Sequence, residues 1–407
     1  MNSFRSLTEA RLLAFLIGFA PVLVLVLTWD SHGVSSQFAM GIREYALPIL
    51  AVEGIVIGIA TLSGLYRWLI SAPRYILVAA AGWLFVAFYT AFFVAINPAL
   101  SIFLTFIWLL HALFAAAVAF LCRKSKLSSS DLASALLWGF IFYAFAIAVF
   151  ALQVDNWIEW VSDIPGLGNL RRVSVYATAI AGLSVGKLIW PGRWLAITAS
   201  IAAFFTAFWT GSRATALAVV AAVTAAALLF PCARSKRLLG GLVLAGIIGF
   251  LFALAFPVQA GVGNDEVRAV LDMSDNGRLT IWSNSIHAIM NAPWFGHGEG
   301  QTALVLPDNP FLFADFQAHP HNVFLQLLMA WGLIGTAFVA VIAGWLAHLL
   351  YRAGQAAEGF PFVLAAGAIA AHAMVDGALY DVAPVFLFAV SVGAGSVQPT
   401  KQSESRD

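Results

Sequence analysis

The sequence predicts an all-α, polytopic membrane protein of about twelve transmembrane helices with a large hydrophilic loop late in the chain. Two observations carry this. Hydrophobic residues make up 61% of the 407 and charged residues only 10%, where a soluble domain carries about 25% charged residues. Too little polar material remains to cover a water-facing surface, so the apolar excess must face lipid. The apolar residues also fall into runs of roughly 20, the length needed to cross a ~30 Å hydrocarbon core. A net charge of +1 and the lack of a long basic tract give no footprint for nucleic acid.

The expected spans lie near 12–28, 45–64, 75–96, 99–121, 132–152 and 174–190, then 194–210, 214–230, 238–257, 323–349, 360–378 and 381–397. Helix is the expected conformation, because an open sheet would leave amides unpaired in hydrocarbon. The first run follows Arg5 and Arg11 and is long for a signal sequence. Trp29-Asp30-Ser31-His32 is also a poor cleavage site, so the run reads as an uncleaved first span. Cys122 and Cys232 each adjoin a basic cluster, which on a cytoplasmic placement argues against a disulfide.

Orientation follows from lysine and arginine. With the N-terminus inside, 15 of the 21 basic residues fall in cytoplasmic segments, and both termini are cytoplasmic. The outside holds Arg43, Arg171, Arg172, Arg213, Arg268 and Arg278. The chain then divides into nine spans over 1–257 with a short outer loop near 153–173, a large outer loop over 258–322, three further spans over 323–397, and a tail over 398–407. The tail reads as disordered.

Candidate chemistry gathers on the outer side. Arg213, in the turn Thr210-Gly211-Ser212-Arg213-Ala214-Thr215, reads either as an anion site beside helix N-terminal amides or as an arginine reaching lipid headgroups. Arg278 opens a stretch, Arg278–Ile286, with the apolar spacing of a short amphipathic helix. It either binds substrate or pairs with Asp272 or Asp275. Arg171-Arg172 is a third pair able to meet phosphate, or headgroups. His319-Pro320-His321-Asn322 stands where the large loop re-enters the membrane. A neutral imidazole there can take a proton from a sugar hydroxyl, or can serve as a structural cap.

His287, His297, His319 and His321 share the loop with Glu299 and Asp315, but without metal-ligand spacing. The turn Gly296-His297-Gly298-Glu299-Gly300 lacks the Gly-Lys-Ser/Thr ending of a phosphate-binding loop. Seven acids against two arginines over 258–321 exclude a broad positive field, so phosphate would be held by a few converging guanidiniums. His372 and Asp376, one turn apart, are placed to support the polar site from behind. Glu53, His111 and Lys187 lie in or near apolar spans and would suit an ion path, although no pairing between them is legible.

The run His321-Asn322-Val323-Phe324-Leu325-Gln326-Leu327-Leu328-Met329-Ala330-Trp331-Gly332-Leu333-Ile334-Gly335 resembles the signature of the O-antigen ligase and polymerase superfamily. Gly211-Ser212-Arg213, Gly277-Arg278-Leu279-Thr280-Ile281-Trp282 and Pro293-Trp294-Phe295-Gly296-His297-Gly298 precede it in the family's order, over roughly residues 195–350. Trp331 departs from the pattern at a position often acidic in relatives. The resemblance implies a metal-independent, GT-C-like membrane glycosyltransferase in the bacterial inner membrane, without cofactor. It implies a donor polysaccharide on undecaprenyl pyrophosphate, a lipid A-core sugar hydroxyl as acceptor, and no partner beyond these and membrane lipids. It further implies that His321 is the base and that Arg213 and Arg278 grip pyrophosphate. Arg171, Arg172, His297, His319 and Asn322 would line the substrate site. A polymerase of the same superfamily, and a lipid-linked glycan transporter, are the competing expectations.

Overall fold

The computed structural model describes residues 2–29, 46–152, 165–168, 170–190, 193–256, 278–306 and 319–397. Within helices, the side chains of residues 2–7 and 170–171 are not described, which includes that of Arg171. No strand occurs among the described residues. The helices are α1 (Asn2–Gly18), α2 (Ala20–Leu27), α3 (Ala46–Leu62), α4 (Leu65–Leu69), α5 (Arg74–Phe93), α6 (Pro98–Arg123), α7 (Ser129–Ala151) and α8 (Leu170–Lys187). They continue with α9 (Trp194–Trp209), α10 (Arg213–Leu229), α11 (Lys236–Ala255), α12 (Arg278–Asn291), α13 (Thr302–Val305), α14 (Val323–Ala353), α15 (Phe360–His372) and α16 (Val382–Gly395).

Each expected span contains a helix, and the chain is an all-helical polytopic membrane protein. By length and apolarity, five helices can cross a bilayer alone, and a sixth if α1 and α2 count as one span. α3, α9, α10, α15 and α16 are shorter apolar helices. The first span is bent by 56° between α1 and α2. The cause is Pro21 in the first turn of α2, which cannot donate to the preceding turn and forces the ladder to restart. Leu62, Phe93, Leu228 and Leu251 point outward, an arrangement that only lipid tolerates.

Close packing inside the bundle depends on small residues. Gly182 and Gly186 of α8 lie against Ala365 and Pro361 of α15, where a Cβ on either glycine would meet those Cα atoms at 2.8 and 2.6 Å. With no hydrophobic drive between helices in lipid, such contacts let backbones approach and dispersion act. The same stripe, four residues earlier, carries Thr178, and the close approach brings it against His372 at the end of α15.

α14 is interrupted. Gly332 has φ 58° and ψ −166°, which breaks the helical ladder. The turn after α12 fills the gap: His297 and Gly298 amides donate to the Met329 and Ala330 carbonyls at 2.7 and 2.9 Å. In return, the Leu333 and Ile334 amides donate to the Pro293 and Trp294 carbonyls at 2.8 and 3.1 Å. A break at membrane depth is tolerated where neighbouring protein takes over the freed backbone groups. Trp331, next to the break, is fully buried in edge contact with Trp83 and Trp108, so the position often acidic in relatives is here part of an aromatic core.

A polar pair also lies deep in the bundle. His111 Nδ1 is 2.7 Å from Glu53 Oε1, joining α3 to α6. They lie 58 positions apart, so no local spacing announces the contact.

Candidate active site at one end of the bundle

Asp376, in the turn between α15 and α16, is the meeting point. His321 Nδ1 lies 2.8 Å from its Oδ1, while Arg278 Nη2 and His372 Nε2 lie 3.6 and 3.8 Å from its Oδ2. The Gly377 amide also donates to Oδ1 at 2.8 Å. Burial pushes this carboxyl up, but the two imidazoles hold it well below the usual carboxylate range, so it is charged.

The parts are held from several directions. Asn322 caps α14 by accepting from the Phe324 and Leu325 amides, and its Nδ2 donates to the Met374 carbonyl at 2.9 Å. The Val323 amide donates to the Ala373 carbonyl, so the start of α14 and the turn carrying Asp376 are bonded together. Arg278 is the first residue of α12, the amphipathic helix expected from the sequence and extending to Asn291. Its expected alternatives, Asp272 and Asp275, lie outside the described residues.

A hydroxyl chain leads from His372 to the turn that carries Arg213. Thr178 Oγ1 stands 2.8 Å from His372 Nδ1 and 2.9 Å from Thr215 Oγ1, and Thr215 Oγ1 stands 3.0 Å from Ser212 Oγ. Ser212 caps α10 immediately before Arg213, which is half-buried. Arg278 and His321 therefore meet at Asp376, and the turn carrying Arg213 joins the same network through Ser212.

The other expected site residues are distributed differently. His319 packs its ring 4.3 Å from that of His321 and 4.7 Å from that of Tyr380. Arg172 Nε is 2.9 Å from Asp381 Oδ1, so it ties α8 to the residue immediately before α16. His297 sits at the opposite end of α12 from Arg278, with Nε2 2.9 Å from the Ala288 carbonyl and its backbone in the α14 break. Among the described residues no group of three His, Cys, Asp or Glu side chains is arranged to hold a metal ion.

Asp376 and His372 were legible as a supporting pair, but the sequence did not mark Asp376 as the hub. Thr178 and Tyr380 gave no signal, because a hydroxyl or aromatic inside an apolar run looks like packing; Thr215 and Trp282 stood in quoted motifs, but nothing local announced their contacts.

Chemically, a charged carboxylate on Nδ1 fixes an imidazole with its proton there and its lone pair on Nε2, the arrangement of a base. Guanidiniums nearby suit an anionic leaving group. The fold and site together define a polytopic helical membrane protein with a polar, basic-and-imidazole centre at one end. Residues 198–340, which include Arg213, Arg278 and His321, match the family model described as O-Antigen ligase. Over that stretch the match supports an O-antigen ligase/polymerase superfamily member. No curated protein matches it.

Proposed function

We propose that this protein is an O-antigen ligase, which transfers polysaccharide from undecaprenyl pyrophosphate to a sugar hydroxyl of lipid A-core at the periplasmic face of the inner membrane. The observation that carries the reading is the His321–Asp376–Arg278 cluster, held at 2.8 and 3.6 Å, with His321 and Arg278 inside the family-matched stretch. His321 Nε2 takes the proton of the acceptor hydroxyl as its oxygen attacks the anomeric carbon. The bond from that carbon to the phosphate oxygen breaks, and undecaprenyl pyrophosphate leaves with the electron pair. Asp376 stabilises the imidazolium that forms. Arg278 and Arg213 offset the charge developing on the departing diphosphate, which is where transition-state stabilisation counts. Asn322 holds the base in place, and His319 and Arg172 shape the surroundings.

The test uses purified protein in vesicles with lipid-linked O-antigen and rough lipopolysaccharide. His321→Ala and Arg278→Ala are expected to abolish transfer while the protein still folds. Full activity in both variants overturns the assigned roles. Elongated lipid-linked glycan with no modified lipopolysaccharide identifies a polymerase instead, and flux across the vesicle wall without new glycosidic bonds identifies a transporter.

A further inference from the structure

The backbone at His321 is as unusual as its side chain. Its φ is +53°, in the left-handed region that few residues other than glycine occupy, Asn, Asp and His more often than the rest. Such a conformation persists only where the surroundings over-determine it. The peptide joining Pro320 to His321 is held at both ends. The Trp282 indole N–H donates to the Pro320 carbonyl at 3.0 Å, and the His321 amide donates to His319 Nδ1 at 3.3 Å. A peptide unit is planar, so fixing its carbonyl and its amide fixes the whole plane. With that plane set, the left-handed φ of His321 directs the imidazole onto Asp376.

We infer that Trp282 and His319 are positioning residues that clamp the Pro320–His321 peptide and thereby seat the imidazole of His321. The inference rests on reading His321 as the base. Each member of the clamp has a built place. Trp282 is four residues beyond Arg278, hence on the same face of α12. One rigid helix therefore delivers both the guanidinium that meets Asp376 and the indole that holds the base, so the two arrive in register. His319 is half-buried, packed on the Tyr380 ring, and occupies the space that a side chain at residue 377 would take; a Cβ on Gly377 would run into its ring. To accept from an amide, its Nδ1 must carry the lone pair, so Nδ1 is engaged and Nε2 carries the proton, the reverse of the arrangement read for His321.

The test compares substitutions that keep bulk but remove one bonding group, using donor consumption in the reconstituted assay. Trp282→Phe loses the indole N–H, and His319→Phe keeps a ring on Tyr380 but loses the acceptor. Both are expected to lower kcat about ten- to a hundredfold, the effect of a misplaced catalytic group, with KM for the lipid-linked donor within about twofold. His319→Asn, whose Oδ1 lies where Nδ1 does, is expected to restore kcat to within about threefold of the parent. A parental kcat in Trp282→Phe, or equal losses in the two His319 variants, overturns the clamp. Should Trp282→Phe fail to accumulate as folded protein, the His319 pair decides alone. His321→Ala, run alongside, separates the two readings: transfer retained there sinks the base assignment, whereas transfer lost there with silent clamp variants sinks only the clamp.

Discussion

His321 presents Nδ1 to Asp376 Oδ1 at 2.8 Å, and the two residues come from opposite sides of α14 and α15 in the chain. The carboxylate does for the imidazole what no solvent contact could: it selects a tautomer and waits, already desolvated, for the positive charge. Asp376→Asn keeps shape but offers an amide N–H toward Nδ1, which would move the ring proton to Nε2. Transfer is expected to fall by about 10²–10⁴-fold, as for comparable base–carboxylate pairs. A variant retaining a tenth of parental activity would show that the pair is structural.

The break in α14 yields a stability prediction. Gly332 has φ +58°, and a Cβ there would meet the backbone of Trp294 and Phe295. Gly332→Ala therefore faces both left-handed strain of about 1–2 kcal/mol and an immovable neighbour. It should lower the melting temperature sharply or prevent accumulation. Gly344→Ala, in the same helix with nothing within 4 Å, should be neutral or stabilising by up to about 1 kcal/mol. Thermal melts of the two in detergent check this; equal behaviour would contradict it.

A second glycine tests the site itself. Gly377→Ala should push His319 off Tyr380 and away from the His321 amide. Overpacking of this kind costs about 1–3 kcal/mol where neighbours can shift. Activity is expected to fall more than stability accounts for, measured as kcat at a temperature where the variant remains folded.

Glu299 gives a pH prediction. It is buried in the turn between α12 and α13, and burial pushes its carboxyl up to about 7, against the lowering effect of the Trp108 and Gln326 side chains and the Gly300 amide. A raised folded-state value means that the folded protein holds this proton more tightly than the unfolded chain. The stability is thus fully present below pH 4.5, the ordinary value, and is lost as pH rises toward about 7. Glu299→Gln, which mimics the protonated form, should flatten melting temperature across this window. An unchanged pH slope in that variant would remove Glu299 as its source.

How much of this was legible depends on the range of the interactions. Composition and apolar runs located a helix in every expected span, because lipid imposes the rule on each segment separately. The α12 helix was visible from local spacing, and His372 with Asp376 from being one turn apart. Arg278 and His321 were expected to converge on one site, but the carboxylate that joins them sits in a later turn and was read only as support from behind. The α14 break was hidden, because Ala330-Trp331-Gly332-Leu333 reads as an uninterrupted apolar helix until the 293–298 turn is docked on it. Thr178 was hidden for the opposite reason: its hydroxyl lies in an apolar run, and only the close approach at Gly182 and Gly186 shows what it faces.

The docked turn also sets an order of assembly. The carbonyls of Met329 and Ala330 find their donors in residues synthesised earlier, outside the helix to which they belong. Until the segment carrying Pro293–Gly298 has folded back onto α14, the turns around Gly332 would enter lipid with bare polar backbone. Docking of that turn is therefore a condition for seating α14, and with it His321 and Asn322 at its start.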